Sequence, residues 1–367
     1  MMQLNSKYFQ TKLLFWHATI NNRQLPWKEE TNVYFIWLSE IILQQTRAAQ
    51  GLKYYKRFTT AYPTIHDLAK TPLEEVYKLW EGLGYYNRCR NLHATAQKIV
   101  IEFNGEFPKT YQTIIDLKGV GPYTASAIAS FAYNLPHAVV DGNVFRVLSR
   151  FFGIKEAIDS TKGKKLFEQI ANDCLAKNAS ANYNQAIMDF GATICKPDNP
   201  LCTNCVMRRK CFAYQNELVK SLPFKEKKVK QRSRWFVYYI LCKKGKFAVQ
   251  ERKEKDIWQH LYQFPLLEFT SEKEWKKFVI KNATTLQATD FLTKNYRMLG
   301  VTKNVSQKLS HQTIHAVAVL AILPSTKIKE PLHFEWKTPS QLKKLPFPRI
   351  IHLLFNKEVL EVFARVV

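Results

Sequence analysis

Apolar residues recur every three to four positions along the first part of the chain, with polar residues between them. This spacing places the apolar residues on one face of an α-helix. Short segments rich in Gly, Pro and Asn separate one helical segment from the next. The predicted helices span about 7–20, 34–46, 48–59, 73–82, 90–103, 111–117, 123–132, 143–152 and 162–176. We therefore predict an all-α domain over residues 1–218.

After residue 234 the pattern changes to runs rich in β-branched and aromatic residues, which are typical of strands. The predicted strands are 235–242, 246–252 and 313–323, and the predicted helices are 271–282 and 349–364. The sequence Lys243-Lys244-Gly245 predicts a hairpin turn between the first two strands. Residues 235–367 are therefore predicted to form an α+β domain. The basic segment 219–234 is predicted to be a linker that can also contact phosphates.

The chain is strongly basic, with 55 Lys and Arg against 30 Asp and Glu and a formal net charge of +25. A polyanionic partner would offset the self-repulsion of such a protein, and nucleic acid fits that description. A membrane is disfavoured because no apolar run approaches the length of a spanning helix. The N-terminus lacks the pattern of a signal peptide. We therefore expect an intracellular protein that contacts phosphates.

Four of the seven cysteines lie close together in the pattern Cys195-x6-Cys202-x2-Cys205-x5-Cys211. In an intracellular chain such a cluster favours a metal site over disulfides. Four thiolates from one loop can enclose one tetrahedral zinc ion or one iron–sulfur cluster. Zinc sites more often use two Cys-x2-Cys pairs, and only one is present here. Basic residues between the cysteines could contact phosphates.

The segment LKGVGPYT (117–124) predicts a tight turn between two helices. Gly119 and Gly121 allow the backbone to turn sharply, and Pro122 suits the first position of the next helix. The free N–H groups at that helix start can bind a phosphate. The segment therefore predicts a helix–hairpin–helix contact with DNA, and an ordinary turn is the alternative.

Two carboxylates stand out in otherwise apolar surroundings. Asp141 follows two valines at the start of a predicted helix, where it could serve only as the N-cap. Glu40 lies on a predicted helix and shares a face with Trp37 and Gln44. If Glu40 is buried, its pKa rises and it can hold a proton near neutral pH. The alternative for Glu40 is a position facing solvent.

Taken together, these segments resemble the MutY-type adenine DNA glycosylases of the endonuclease III, or helix–hairpin–helix, superfamily. The resemblance covers nearly the whole chain. The matching segments, in family order, are WLSEIILQQT (37–46), WEGLGYYNRCRNLH (80–93), LKGVGPYTASAIAS (117–130), VVDGNVFRVLSR (139–150), NQAIMDFGATIC (184–195) and the cysteine spacing. It implies an all-α glycosylase domain with a [4Fe-4S] cluster bound by the four cysteines, then an α+β Nudix-like domain.

The resemblance also implies the reaction, which is hydrolysis of the N-glycosidic bond of adenine mispaired with 8-oxoguanine or guanine. Glu40 matches the residue that protonates N7 of the flipped adenine. Asp141 matches the carboxylate that stabilises or captures the oxocarbenium-like sugar. Asn143 matches a residue that orients water and Asp141, and Tyr123 matches a tyrosine beside the sugar. Gln185 matches a polar residue that reads the adenine edge.

Further positions match residues that bind DNA. Gln45 and Tyr85 match side chains wedged into the duplex at the lesion. Ser310 and His311 match residues that read 8-oxoguanine in the opposite strand. An aromatic residue usually precedes this Ser-His pair in the family, and Leu309 occupies that position.

The family commonly has Pro-Trp-Arg early in the chain, where the arginine lies near the adenine. Here Trp27 is followed by Lys28, which keeps the charge but lacks the planar fork. The lyase branch has a lysine at the position of Tyr123, and Lys118 falls before the turn. We therefore expect a monofunctional glycosylase.

Three alternatives remain open on sequence: a bifunctional glycosylase/lyase, a catalytically silent DNA-binding protein, and a nucleotide-pool hydrolase. The third is disfavoured because the C-terminal domain lacks the Glu-rich helix of a working Nudix enzyme. The resemblance implies a monomer in the cytoplasm that associates with the nucleoid and binds double-stranded DNA, with no membrane partner. Sliding-clamp and mismatch-repair proteins are candidate protein partners.

Overall fold

A computed structural model describes residues 2–226, 231–282, 296–324 and 334–365. The chain divides into two compact units, one formed by Met1–Lys70 with Asn91–Lys228 and the other by Thr71–Arg90 with Val229–Val367. Positions 227–230 of the predicted linker lie outside the described residues. None of the helices in these ranges is long and apolar enough to cross a membrane.

Up to residue 226 the described chain is helical, with short connections. The helices are α1 (Met2–Thr19), α2 (Val33–Leu43), α3 (Ala48–Ala61), α4 (Ile65–Lys70), α5 (Leu73–Trp80), α6 (Tyr86–Glu102), α7 (Tyr111–Ile115), α8 (Pro122–Tyr133), α9 (Gly142–Phe152), α10 (Thr161–Cys174), α11 (Ser180–Thr193) and α12 (Phe212–Gln215). Short 3-10 helices lie at Lys177–Ala179, Cys202–Asn204 and Arg208–Lys210. The sequence pattern had not predicted α4, α11 or α12.

Polar N-caps begin several of these helices, because a side-chain oxygen satisfies a free N–H in the first turn. Asn32 caps α2, Asp141 caps α9 and Ser160 caps α10. Asn134 ends α8 and Gly153 ends α9 in the left-handed conformation that suits these residue types.

The core of the first unit forms where α1, α9, α10 and α11 meet. Trp16 of α1 packs edge-on against Phe190 of α11, with ring centroids 5.0 Å apart. Helices α9 and α11 approach closely at Gly191, where an added Cβ would lie 2.6 Å from Cβ of Asn143. The cysteine loop packs against the same core. The start of α9 and the cysteine loop therefore pack against one shared core.

The second unit contains a mixed sheet with helices packed around it. Its strands are β1 (Arg232–Lys243), β2 (Lys246–Glu251), β3 (Tyr262–Gln263), β4 (Leu266–Phe269), β5 (Arg297–Val301), β6 (Val305–Lys308), β7 (Gln312–Ile322) and β8 (Glu335–Lys337). The later helices are α13 (Glu272–Asn282), α14 (Pro339–Leu342), α15 (Arg349–Leu354) and α16 (Lys357–Ala364). Helix α5 and the start of α6 belong to this unit.

Strands β1 and β7 run parallel at the centre of the sheet, and every other described pairing is antiparallel. The path of the sheet is β3-β2-β1-β7-β5, with β4 paired to β1, β6 to β7 and β8 to β2. The predicted hairpin is confirmed, since β1 and β2 are joined through Lys244 and Gly245, both with positive φ. The predicted C-terminal helix is broken into α15 and α16, because Asn356 caps a new helix.

Candidate active site

Glu40 is a buried carboxyl group in the middle of α2, with 6% of its surface exposed. Its helix neighbours Trp37 and Ile41 are also buried, so the solvent-facing alternative is wrong. Burial raises the pKa of Glu40 to about 7, and the nearby charge of Asp141 adds to this, while a hydrogen bond with Tyr123 opposes it. Glu40 can therefore carry a proton near neutral pH.

Asp141 is the N-cap of α9 and also takes part in the same electrostatic cluster. Its Oδ1 accepts the Val144 backbone N–H at 2.7 Å, and its Oδ2 accepts Asn143 Nδ2 at 2.7 Å. Burial raises the pKa of Asp141 above its usual range, although these hydrogen bonds and the Arg146 charge oppose the increase. Capping and chemistry are therefore compatible at this residue. The hydrogen bonds stabilise the ionised carboxylate inside the fold.

Tyr123, near the start of α8, lies beside the two carboxyl groups. Its hydroxyl donates to Met188 Sδ at 3.9 Å, and the charges of both Glu40 and Asp141 act on it. Burial and these two carboxyl groups hold the pKa of Tyr123 well above its usual range, so the phenol stays neutral. Helices α2, α8 and α9 thus bring Glu40, Tyr123 and Asp141 into one cluster.

A cleft of about 300 Å³ opens beside Glu40 in the first unit. It is lined by His17, Asn21, Arg23, Gln24, Trp27, Lys28, Glu29, Glu30, Ile36, Ser39, Glu40, Phe131, Ala181, Asn182 and Gln185. Its size is at the lower end of small-ligand pockets. Trp27 is held edge-on against Tyr55, with ring centroids 5.6 Å apart. The predicted residues Trp27, Lys28 and Gln185 therefore share one cleft with Glu40.

Arg146 joins the start of α9 to the cysteine loop, a link that the sequence did not reveal. Its Nη2 donates to Asn143 Oδ1 at 2.9 Å and to the Gly191 carbonyl at 2.7 Å. Its Nε donates to the Cys195 carbonyl at 2.7 Å. Asn143 in turn donates to Asp141. A continuous path of hydrogen bonds therefore runs from the first cysteine of the loop to the Asp141 carboxylate.

We expect Arg146→Met to lower the free energy of unfolding by about 3 kcal/mol, because buried acceptors on three segments would lose their donor. Urea unfolding of the full chain measures this. Arg57→Met is the matched control, since Arg57 is exposed and should change stability by less than about 0.5 kcal/mol. Equal effects of the two substitutions would contradict a bridging role for Arg146.

The predicted hairpin lies between α7 and α8. Gly119 has φ +81°, and an added Cβ would lie 2.7 Å from Asn91 Cβ, so this position requires glycine. Gly121 is the N-cap of α8 and Pro122 is its first residue. Both of these residues are exposed. The turn therefore presents free backbone N–H groups at a helix start, as an anion site requires.

Comparison with known proteins assigns this architecture to a family. Residues 38–173 match the model of the HhH-GPD superfamily of base excision DNA repair proteins, and residues 236–357 match the NUDIX domain. An adenine DNA glycosylase of Buchnera aphidicola subsp. Schizaphis graminum is 32% identical over 318 residues, covering 86% of this chain and 88% of that protein. The chain belongs to the adenine DNA glycosylase family.

Other proteins are similar to parts of this chain. The adenine DNA glycosylase of Mus musculus is 43% identical over 216 residues, covering 56% of this chain and 42% of the mouse protein. A structure of a thermostable thymine-DNA glycosylase superposes with a TM-score of 0.54 at 30% identity, over 58% of this chain and 97% of its own. A complex of endonuclease III with DNA has a TM-score of 0.52 at 23% identity, over 59% of this chain and 99% of its own, which shows a common fold.

The four cysteines of this family member line one small cavity of about 30 Å³. Arg150 Nη1 donates to Cys195 Sγ at 3.5 Å and to the Lys196 carbonyl at 2.8 Å. Burial raises the pKa of the Cys205 thiol to about 12, so bare thiolates would need cationic partners. No three His, Cys, Asp or Glu side chains in the described ranges are arranged to hold a metal ion. The structure therefore brings the four cysteines of the predicted cluster site to one cavity.

The second unit brings together three residues that the resemblance assigned to lesion recognition. Ser310 and His311 lie exposed in the turn between β6 and β7, which the Leu309 N–H closes by donating to the Gln312 carbonyl at 2.7 Å. The Tyr85 hydroxyl contacts Ser310 Oγ. This contact joins positions 225 residues apart in the chain.

Two residues with exposed side chains adopt the left-handed backbone conformation. Tyr85 has φ +50° and Gln45, just after α2, has φ +53°. The Arg88 guanidinium lies 5.1 Å from the Trp80 ring and 5.5 Å from the Tyr85 ring, which holds Tyr85 in place. Backbone strain at an exposed residue often marks a functional position.

Sequence reasoning missed the buried residues behind the site. Arg146 lies three positions after Asn143. Asp189, a buried carboxylate that accepts a hydrogen bond from Gln185 Nε2 at 3.2 Å, lies four positions after Gln185. In a helix these separations place both members of a pair on one face. That spacing was the only signal available, and it required knowing that α11 is a helix.

Proposed function

We propose that this protein is a monofunctional DNA glycosylase that removes adenine mispaired with 8-oxoguanine or guanine. The observation that carries the proposal is a buried Glu40 with a pKa near 7 in one cluster with a hydrogen-bonded Asp141. Two carboxyl groups with different protonation states suit glycosidic bond cleavage. The names of the relatives support adenine as the leaving base.

Adenine is a poor leaving group as an anion, so a proton must reach the base. Protonated Glu40 supplies it to N7 of an adenine flipped into the cleft. The sugar then develops positive charge, which ionised Asp141 stabilises. Asn143 holds the Asp141 carboxylate through its 2.7 Å hydrogen bond and can orient the attacking water.

Tyr123 supports a glycosylase without lyase activity. A Schiff base needs an amine beside the sugar, and this position carries a phenol that stays neutral beside Glu40. Lys118 is exposed before the turn.

The cysteine loop fits a [4Fe-4S] cluster held by Cys195, Cys202, Cys205 and Cys211. When bound, the cluster would cross-link the loop as a structural element. Two arginines stabilise the backbone of the loop: Arg150 donates to the Lys196 carbonyl, and Arg146 of α9 donates to the Cys195 carbonyl.

DNA binding follows from charge and from exposed backbone donors. The Lys and Arg side chains that give the net charge of +25 can contact phosphates. The turn at Gly119 and Gly121 offers backbone N–H groups at a helix start. Gln45 and Tyr85 are exposed and can insert into the duplex at the lesion. Ser310 and His311 are also exposed and can read 8-oxoguanine in the opposite strand.

A single-turnover assay with full-length, cluster-loaded protein tests the proposal. Duplexes with adenine opposite 8-oxoguanine and opposite guanine should both release adenine, with strand breaks only after alkali. The rate should fall about tenfold per pH unit above pH 7, because the acid is the protonated form of Glu40. Strand cleavage without alkali would favour the bifunctional enzyme. Absence of adenine release would favour the silent DNA-binding protein.

A further inference from the structure

Gln44, at the end of α2, makes a hydrogen bond to the first turn of α8 that none of the roles assigned above uses. Its Nε2 donates to Thr124 Oγ1 at 2.9 Å, across 80 positions of the chain. Thr124 is buried, with 2% of its surface exposed. A hydroxyl enclosed in this way needs a hydrogen-bond partner, and the Gln44 amide is one. The contact therefore joins the C-terminal end of α2 to the N-terminal end of α8.

Gln44 directly precedes Gln45, the exposed residue with φ +53°. A glutamine in this sparsely populated conformation is kept there by the structure around it. The backbone N–H of Gln44 donates to the Glu40 carbonyl at 3.2 Å. The backbone N–H of Thr46 donates to the Leu43 carbonyl at 3.0 Å. These hydrogen bonds fix the chain around Gln45 to α2, and the Gln44 side chain fixes it to α8.

Thr124 also belongs to the helix start that follows the glycine turn at residues 119–121. The Ala125 N–H donates to the Gly121 carbonyl at 2.8 Å, which closes the first turn of α8. The backbone N–H of Thr124 precedes this bond, so it is one of the helix-start donors that can face a phosphate. One residue therefore serves the proposed phosphate contact through its backbone and the end of α2 through its hydroxyl.

A second helix, α6, holds the other side of the glycine turn. Thr95 of α6 is fully buried, and its hydroxyl donates to the Lys118 carbonyl at 2.8 Å. The side chain of Asn91, on the same helix, occupies the space beside Gly119. The glycine turn is therefore held in place within the first unit, and the end of α2 is joined to it through Gln44.

We propose that Gln44 is a positioning residue that fixes the direction of the Gln45 side chain relative to the glycine turn. The inference rests on the proposed function, because it takes Gln45 as the side chain inserted into the duplex. When the glycine turn binds a phosphate, Thr124 and Gln44 hold Gln45 at a set position relative to that phosphate. Insertion then requires little further ordering of the protein. Loss of the hydrogen bond makes insertion less favourable, while the phosphate contact remains.

Thr124→Val tests the proposal, because valine nearly keeps the shape of threonine and cannot accept the hydrogen bond from Gln44. Full-length, cluster-loaded protein is titrated onto two duplexes, and fluorescence anisotropy gives both Kd values. One duplex carries uncleavable 2′-fluoro-2′-deoxyadenosine opposite 8-oxoguanine, and the other is fully paired. We expect the preference for the lesion duplex to fall about tenfold, since only that duplex accepts the inserted side chain. The Kd of the paired duplex should stay within about twofold of the wild type, because the phosphate contacts are unchanged.

Thr60→Val is the matched control, since Thr60 is exposed on α3 and loses the same hydroxyl. Its preference for the lesion duplex should equal that of the wild type. Gln44→Met removes the donor in place of the acceptor, so it should reproduce the result of Thr124→Val, and it replaces that variant if Thr124→Val fails to fold. Equal weakening of both duplexes would indicate a merely structural role and overturn the proposal, as would an unchanged preference.

Gln45→Ala shows whether the hydrogen bond acts through Gln45. In this variant the side chain to be positioned is absent, so adding Thr124→Val should change the preference by less than about twofold. A further loss of about tenfold in the double variant would mean that the hydrogen bond acts on another group, and the proposal would be wrong. A wild-type preference in Gln45→Ala alone would also overturn it. These outcomes concern binding, so they are separate from failure of the wild type to release adenine, which would refute the proposed function.

Discussion

Glu40→Gln should lower the single-turnover rate of adenine release by roughly 10²–10⁴-fold, the contribution of a positioned general acid. The amide has nearly the same shape as the carboxylic acid, yet it has no proton to transfer at neutral pH. Stability should not fall, because the amide removes the cost of ionising a buried group. Adenine release and urea unfolding on the same preparation measure the two effects.

Glu168→Gln is the matched control for this substitution, since Glu168 is exposed on α10. This substitution makes the same chemical change at a position outside the cleft, so the rate of adenine release should equal that of the wild type. If Glu40→Gln retained more than about a tenth of the wild-type rate, the proton would have to come from another group.

Asp141→Asn should separate capping from chemistry. Asparagine is as good an N-cap as aspartate, so the Val144 N–H keeps an acceptor and α9 keeps its start. A neutral amide cannot stabilise a developing cation, and we expect the rate of adenine release to fall on the order of 10³-fold. The free energy of unfolding should fall by only about 1 kcal/mol, because the amide nitrogen cannot accept the hydrogen bond that Asn143 Nδ2 donates to Asp141 Oδ2.

Ser160→Ala provides the reverse case. Ser160 caps α10 by accepting the Gly163 N–H at 2.9 Å, far in the sequence from the carboxyl cluster. Its loss should lower stability by about 1 kcal/mol and leave the rate unchanged. If the loss of activity in Asp141→Asn were explained by an equally large loss of folding stability, Asp141 would be only a cap.

Sequence pattern was sufficient for the parts of the site that depend on local spacing. Glu40 stood out because it interrupts an apolar helix, and Asp141 because it precedes one. The hairpin at Lys244 and Gly245 was predictable since two positive φ angles favour such residues. Each of these features is contained within a few residues.

The rest depended on contacts between distant segments. Helix α11 was missed because its Asn, Asp, Gly and Thr residues favour caps and turns in isolation, and packing against α1 and α9 outweighs that preference. With α11 absent from the prediction, the Gln185–Asp189 pair could not be recognised. The contact between Tyr85 and Ser310 was equally hidden, because no local pattern joins them.

The assignment of Thr71–Arg90 to the second unit limits how the protein could be cut into fragments. Tyr77 of α5 is buried and stacks on His260, and Glu81 accepts hydrogen bonds from the Phe347 backbone N–H and from His352. Limited proteolysis in the linker would leave this segment attached to the N-terminal fragment, with its apolar face uncovered. The C-terminal fragment would lose part of its own core. Neither compact unit therefore corresponds to one continuous stretch of the chain.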